Sequence, residues 1–424
     1  MINSKSFLSK SLKDFSFLFS SNILKKILGF FRELVLAFLF GSSLIYASYL
    51  ILKTITDFFS QFTFGNALQA NLIPRFTKLF KDNTLLNLVD VKKFSNKILL
   101  LIFLISLIIQ FLIISFIIKD YYLILSFIAV ILSSILAANF YNSLFLSIIQ
   151  AKGDFKKFSI STTLNICIST ILVYPLSFLF DIIGIAISRL VGVISLSYIY
   201  IKPLTRPNQG LLVNLSIKDF QFSVIFLSNI SLFILLLARF IIGLDASNQI
   251  TFFNYSFILL NILLTSIVFN INTVFLRKLS LVKSLLPLLY SFLITLIISI
   301  LLYVTVSKYS MIIVDSVYNR GAFNNSDVIS TASFLLELTP GYIILMFVSI
   351  FFQPFFSLGL DKITNISNRF CIVFLITMIC VLSYIFLNNI DLKNASIFFV
   401  NSLSICALIL SILSLIYYIR HENK

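Results

Sequence analysis

Four ionisable side chains, Lys25, Lys26, Arg32 and Glu33, stand inside the apolar stretch KKILGFFRELVLAFLFG at residues 25–41. Written as a helix, Lys25, Arg32 and Glu33 fall close to one face, being seven and eight residues apart. In the next apolar stretch Lys53, Asp57 and Gln61 recur at i, i+4 and i+8, a polar stripe on an otherwise apolar helix. Two such stripes would line one hydrophilic cavity with a cationic excess. Guanidinium and ammonium groups so placed bind phosphate-bearing or other anionic ligands. The plainer account has Lys25 and Lys26 snorkelling to a bilayer interface while Lys53 and Asp57 neutralise each other as a helical pair. It fits Arg32 less well, which lies about 10 Å further along the helix at 1.5 Å per residue. Arg239 completes the candidate ligand set. Like Arg189 it stands near the end of an apolar span, a position that favours snorkelling to the interface for both.

Those side chains need elements to hold them, and the composition says which kind. Of the 424 residues 59% are hydrophobic and 11% charged. A water-soluble chain of this length needs more polar surface than that. Apolar runs near the ~20 residues that cross a bilayer recur throughout, most clearly KILLLIFLISLIIQFLIISFII (97–118) and SLLPLLYSFLITLIISILLYV (284–304). Twelve spans are predicted, at 15–40, 43–65, 97–118, 121–148, 159–180, 182–201, 221–243, 249–276, 284–306, 329–357, 370–388 and 395–419. The N-terminal apolar stretch has no small-residue cleavage pattern after it and reads as the first span.

Charge then orients the spans. Alternate loops hold 22 basic residues, against four (Lys119, Lys308, Arg320 and Lys393) in the others. The rich side is cytoplasmic, so both termini are expected inside. The same distribution explains the net charge of +16 without a nucleic-acid-binding patch, which would gather charge on one surface.

Other chemistry is thinly represented. Cys167, Cys371, Cys380 and Cys406 all lie in apolar spans with no metal or disulfide spacing, and the single histidine, His421, is in the C-terminal tail. Histidine catalysis, proton relays through histidine and haem ligation are not expected on that count, and no cofactor is implied. Glu337 precedes Thr339, Pro340 and Gly341, where a helix break exposing backbone is expected. Arg320, Gly321 and Phe323 are expected to shape a tight turn on the non-cytoplasmic side, and Gly29 and Gly41 to bend or closely pack their helix.

The two halves echo each other. ANLIPRFTKLF (70–80) follows the second span and NTVFLRKLS (272–280) the eighth; SIIQAKGDFKKFSISTTLNI (147–166) follows the fourth and SLGLDKITNISNRF (357–370) the tenth. Two six-helix lobes, residues 1–205 and 206–424, are therefore expected, joined through KPLTRPNQGLL (202–212). The fold class is an all-α polytopic membrane protein of about twelve transmembrane helices.

KKILGFFRELVLAFLFG, followed by GNALQANLIPRF, resembles the first two helices of MurJ/MviN-type lipid II flippases of the MOP exporter superfamily. DSVYNRGAFNNSDVISTASFLLELTPGY (315–342) is similar to that family's R-G-x-F segment before its tenth helix, and ITFFNYSFILLNILLTSIVFNINTVFLRKLS (250–280) to its eighth. The resemblance implies a MOP/MATE-like pair of lobes around a cationic cavity that binds the diphosphate and sugar of a polyprenyl-linked precursor. Lys26 and Arg32 align with the two family arginines of the first helix. Departures are Ala47 for an Asp, Ser60 and Gln61 for basic residues, Ile258 for an Arg, and a chain ending near twelve spans where the family carries a further helix pair.

The expected function is a flippase moving a polyprenyl-diphosphate-linked glycan, lipid II or a related lipid-linked oligosaccharide, by alternating access. Movement would run from the cytoplasmic to the periplasmic leaflet of a bacterial inner membrane. The partners are that lipid, the bilayer and a coupling ion or the membrane potential, with no nucleic acid; no bond changes, so no enzyme is expected. Three other readings stay in view. A MATE-like small-solute or cation antiporter would favour a carboxylate-rich cavity. A membrane glycosyltransferase or polymerase would need clustered carboxylates or histidines on an external loop. A non-transporting scaffold would accommodate the departures.

Overall fold

The computed structural model describes residues 4–63, 72, 76, 86–118, 120–202, 211–212, 221–263, 286–358 and 360–422. Among these, thirteen α-helices follow one another: α1 Ser4–Phe40, α2 Leu44–Thr63, α3 Val89–Phe116, α4 Tyr122–Ala151, α5 Phe155–Phe180, α6 Ile182–Leu196, α7 Phe222–Ser228, α8 Ile230–Ile242, α9 Gln249–Leu263, α10 Leu286–Tyr318, α11 Asn325–Ser357, α12 Leu360–Leu387 and α13 Leu392–Glu422. A π turn, Ser197–Ile201, prolongs α6. Two-residue strands β1 (Leu86–Asn87) and β2 (Leu211–Leu212) pair in parallel. Helices dominate because hydrocarbon offers no partner for a backbone N–H or C=O.

The helices fall on the twelve predicted spans in order. Eight are individually long and apolar enough to cross a membrane, and α7 with α8 makes a ninth that bends by 78°. α1, α2 and α9 take the remaining places; α1 carries the four ionisable residues that lower its apolarity, and the described part of α9 stops at Leu263. The stretches at 203–210 and 264–285, and 70–80 apart from Leu72 and Phe76, with most of the linker and two of the four repeat landmarks, lie outside the described residues, as does the Gln61 side chain.

Two local expectations change. The seventh span, 221–243, is two helices and not one. Ser228 Oγ and Asn229 Nδ2 both donate to the Ile225 carbonyl, at 2.9 and 3.1 Å, so side chains take an acceptor that the helix would have used. Conversely, no break follows Glu337. α11 runs unbroken through Pro340 and Pro354, held on both flanks by packing against α13 and α10.

The chain forms two compact units, Met1–Val35 with Ile55–Gln221, and Leu36–Thr54 with Phe222–Lys424. In the first, α3 packs on α4, α4 on α6, and α5 on α6. Phe140, Leu144, Phe145, Leu196 and Ile201 form part of its core. Small residues bring α5 and α6 together: a Cβ on Gly184 would overlap the Leu176 backbone, and one on Gly192 would lie 2.6 Å from the Asn165 carbonyl. Such contact substitutes for hydrophobic drive where lipid is as apolar as the side chains.

In the second unit α11 is the central helix, flanked by α13, α10 and α9. Its first turn is fixed by a capping box in which Asn324 Oδ1 accepts from Asp327 N and Asp327 Oδ2 accepts from Asn324 N, both at 3.1 Å. The same buried Asp327 accepts from Ser42 Oγ at 2.7 Å. Beside it the α1–α2 turn meets the RGAF turn. Ala322 N donates to the Phe38 carbonyl at 2.9 Å, and Tyr255 Oη donates to the Gly41 carbonyl at 3.2 Å. Tyr46 stacks on Tyr255, and Phe323 packs edge-on against the same ring.

Candidate functional site

The charged positions of the sequence divide between the units, and each set has its own surroundings. In the first unit, Lys25 and Lys26 are half-buried on α1. Lys25 Nζ donates to Thr162 Oγ1 of α5 at 3.3 Å. One turn earlier, Ser21 Oγ lies 2.9 Å from Thr163 Oγ1 and donates to the Ser159 carbonyl at 3.2 Å. One turn later, Thr170 Oγ1 donates to the Leu28 carbonyl at 3.2 Å. A hydroxyl-bearing face of α5 therefore accompanies the cationic face of α1. The sequence showed that face as SISTTLN, but its hydroxyls were not singled out because Ser and Thr in apolar helices commonly bond their own backbone.

Arg32 is held beside its neighbour in sequence. Its Nη2 lies 3.1 Å from Glu33 Oε1, with the arginine side chain 18% exposed and the glutamate buried. This pairing offsets the cost of burying the guanidinium while leaving it partly open. On α2, Asp57 pairs with a residue of another helix. Arg189 Nη2 of α6 lies 3.5 Å from Asp57 Oδ1, with side-chain exposures of 18% and 22%. The snorkelling account of Arg189 is corrected accordingly: it turns inward to a carboxylate. Lys53, on the part of α2 that belongs to the second unit, is half-buried.

Arg239 also departs from the snorkelling account. It is 1% exposed, although it stands in the last turn of α8. Nε donates to Thr54 Oγ1 and Nη1 to Asn254 Oδ1, both at 2.8 Å. Thr54 Oγ1 passes its own proton to the Leu50 carbonyl at 2.6 Å, so the hydroxyl is both acceptor and donor. The guanidinium carbon lies 5.7 Å from the centre of the Phe257 ring, whose π face favours a cation. The carboxyl end of α8 adds partial negative charge. Sequence spacing had no means of pairing Arg239 with a threonine 185 positions away.

A second charged group in this unit joins α11 to α13. Lys393 Nζ donates to Glu337 Oε1 at 2.9 Å and to Ser333 Oγ at 2.7 Å, and Ser333 Oγ donates to the same carboxylate oxygen at 2.7 Å. Glu337, expected beside a helix break, is thus the centre of an interhelical polar knot. Ala47, one of the departures from the family pattern, is wholly buried. Among the described residues no three His, Cys, Asp or Glu side chains gather as a metal site would require.

No family model matches the sequence, and no curated protein matches it. Solved structures do. A lipid II flippase MurJ in an inward closed conformation superposes with a TM-score of 0.73 over 95% of this chain and 87% of that one, at 20% identity. A eukaryotic MATE transporter gives 0.67 at 13% identity, over 98% of each chain. A MOP superfamily transporter from Pyrococcus furiosus gives 0.61 at 13% identity, over 97% of this chain and 96% of that one. These likenesses establish the fold: a multi-pass helical membrane protein of the architecture that MurJ and MATE transporters share. The resemblance read in the opening motifs is borne out at that level.

Proposed function

We propose that this chain is a flippase that carries a polyprenyl-diphosphate-linked glycan, lipid II or a related lipid, from the cytoplasmic to the periplasmic leaflet of a bacterial inner membrane. It would work by alternating access between six-helix lobes at 1–205 and 206–424, with both termini cytoplasmic. The supporting observation is the set of partly buried basic side chains of α1, Lys25, Lys26 and Arg32, on a fold shared with a lipid II flippase. A diphosphate offers paired anionic oxygens that guanidinium groups match in a bidentate manner. Lipid tails would stay in the bilayer while only the headgroup is taken up, so no bond is made or broken and drive would come from an ion or the membrane potential. Lys53, Asp57, Gln61 and Arg239 remain the secondary candidates for contact with the headgroup.

The alternative within the same fold is a MATE-like antiporter of cationic solutes. Two span carboxylates that would serve it, Asp57 and Glu337, each have a basic side chain against them, at 3.5 and 2.9 Å, which favours the anionic cargo. Native mass spectrometry of protein purified in mild detergent separates the two. Wild type is expected to carry a polyprenyl-diphosphate glycan that is lost from Arg32→Ala. Wild type devoid of such lipid, yet stabilised by cationic solutes, would replace the flippase by the antiporter.

A further inference from the structure

Counter-charge separates the cations of α1. Arg32 has the Glu33 carboxylate at 3.1 Å. Lys25 and Lys26, both half-buried, have no carboxylate within ion-pair distance among the described residues. The polar contact that Lys25 does make is neutral: Nζ donates to Thr162 Oγ1 of α5 at 3.3 Å. Placing an ammonium inside a membrane span with no acid beside it is costly, and two of its three N–H groups are left for a ligand.

The Thr162 hydroxyl is set to accept. Its proton is shared between the Phe158 and Ser159 carbonyls, at 3.0 and 3.1 Å, so lone pairs are what it offers Lys25. Its level matters as well. Ser21 meets Thr163 and Leu28 meets Thr170, each pair 142 positions apart, so α1 and α5 run parallel in one register. On that register Lys25 is level with Cys167, and its ammonium reaches back five residues, about 7.5 Å, to Thr162. A lysine extended this way runs toward the N-terminal ends of both helices, as a snorkelling side chain does. Thr162 stops it about 10 Å inside Phe155, the first residue of α5. Lys156, by contrast, stands exposed in the opening turn of that helix. A flexible four-carbon stem acquires a fixed orientation only from such a stop.

We infer that Thr162 is a positioning residue of the anion site: it holds the Lys25 ammonium inside the span, where a phosphoryl group of the ligand supplies the missing counter-charge. This inference rests on the anionic-headgroup reading above. The full chain in detergent is titrated with geranylgeranyl diphosphate and, in parallel, with inorganic diphosphate, which tells lipid-linked from headgroup-only recognition. Thr162→Val keeps the shape and removes the acceptor, and is expected to weaken binding about five-fold; Thr162→Ser restores the hydroxyl and is expected to stay within about two-fold of wild type. Lys25→Met is expected to weaken binding about ten-fold. Adding Thr162→Val to Lys25→Met is expected to change nothing further, because Thr162 acts through Lys25. Ser21→Ala is the control: it loosens the same helix pair one turn away without touching Lys25, and is expected to bind as wild type does. Wild-type affinity in Thr162→Val, an equal loss in Ser21→Ala, or a further loss when Thr162→Val is added to Lys25→Met would make Thr162 a packing residue and overturn the inference alone. Failure of wild type to bind either diphosphate would remove the anionic-headgroup reading, and the inference with it.

Discussion

The contact between the α1–α2 turn and the RGAF turn supports a prediction that can be worked through in detail. Gly41 and Gly321 both have positive φ, +49° and +63°, and each faces the other's segment. A Cβ on Gly41 would overlap the Ala322 carbonyl oxygen and lie 2.7 Å from its carbon; one on Gly321 would overlap the Phe38 carbonyl and lie 2.9 Å from a Phe38 ring carbon. Carbon atoms pack at about 3.5–4.0 Å, so the segments must part by roughly 1 Å. That separation stretches the 2.9 Å bond from Ala322 N to the Phe38 carbonyl beyond useful range. The left-handed backbone adds about 1–2 kcal/mol for any residue with a Cβ, and the lost hydrogen bond about 1 kcal/mol. Each of Gly41→Ala and Gly321→Ala is thus expected to cost about 3 kcal/mol. Because both break the same hydrogen bond, the double variant should cost about 5 and not 6 kcal/mol. Gly29→Ala is the internal control: no atom lies within 4 Å of its Cβ, and a mid-helix alanine gains up to about 1 kcal/mol. All four cysteines lie in membrane helices, so a thiol-reactive fluorophore can follow thermal unfolding in detergent. The expected order of melting temperature is Gly29→Ala, wild type, the two clasp variants, then their double. Unchanged melting in Gly41→Ala, or strict additivity in the double, would refute a shared backbone contact.

Other expectations rest on the buried polar groups. Arg239→Leu strands Asn254 and removes an acceptor role from Thr54, at an expected cost of about 3 kcal/mol in the same melting assay; Arg239→Lys should recover only part of it, since one ammonium cannot reach both acceptors as the fork does. For the polar knot, a double-mutant cycle of Lys393→Met and Glu337→Gln should give about 0.5–1 kcal/mol of coupling that shrinks in high salt, because the two side chains are 31% and 34% exposed. Coupling above about 2 kcal/mol would mean that the pair is sealed from water after all.

Much of this protein was legible in the residue order. Membrane-spanning length, the alternation of basic loops and the intrusion of charge into α1 are local properties, because a bilayer imposes one length and one polarity rule on every span separately. Hence the order and register of the helices, the cationic face of Lys25 and Arg32, and the turn at Gly321 could be written down before any coordinates. The bend at Asn229 was in principle readable too, since Ser228 and Asn229 take the Ile225 carbonyl locally, but Ser and Asn occur in straight helices as well.

The partners of the other charges could not be read in this way. Arg239 and Arg189 stand near span ends in the sequence, where a long basic side chain ordinarily reaches the interface. Which way each one turns depends on what the neighbouring helices offer at its level: Thr54, Asn254 and the Phe257 ring for one, Asp57 for the other. The unbroken course of α11 past Pro340 is of the same kind, fixed by its neighbours. Sequence alone determined where helices cross and which faces are charged, because hydrophobicity and charge act residue by residue. Tertiary structure decided which charges meet, because a buried ion's free energy depends on acceptors that lie as far as 185 positions away along the chain.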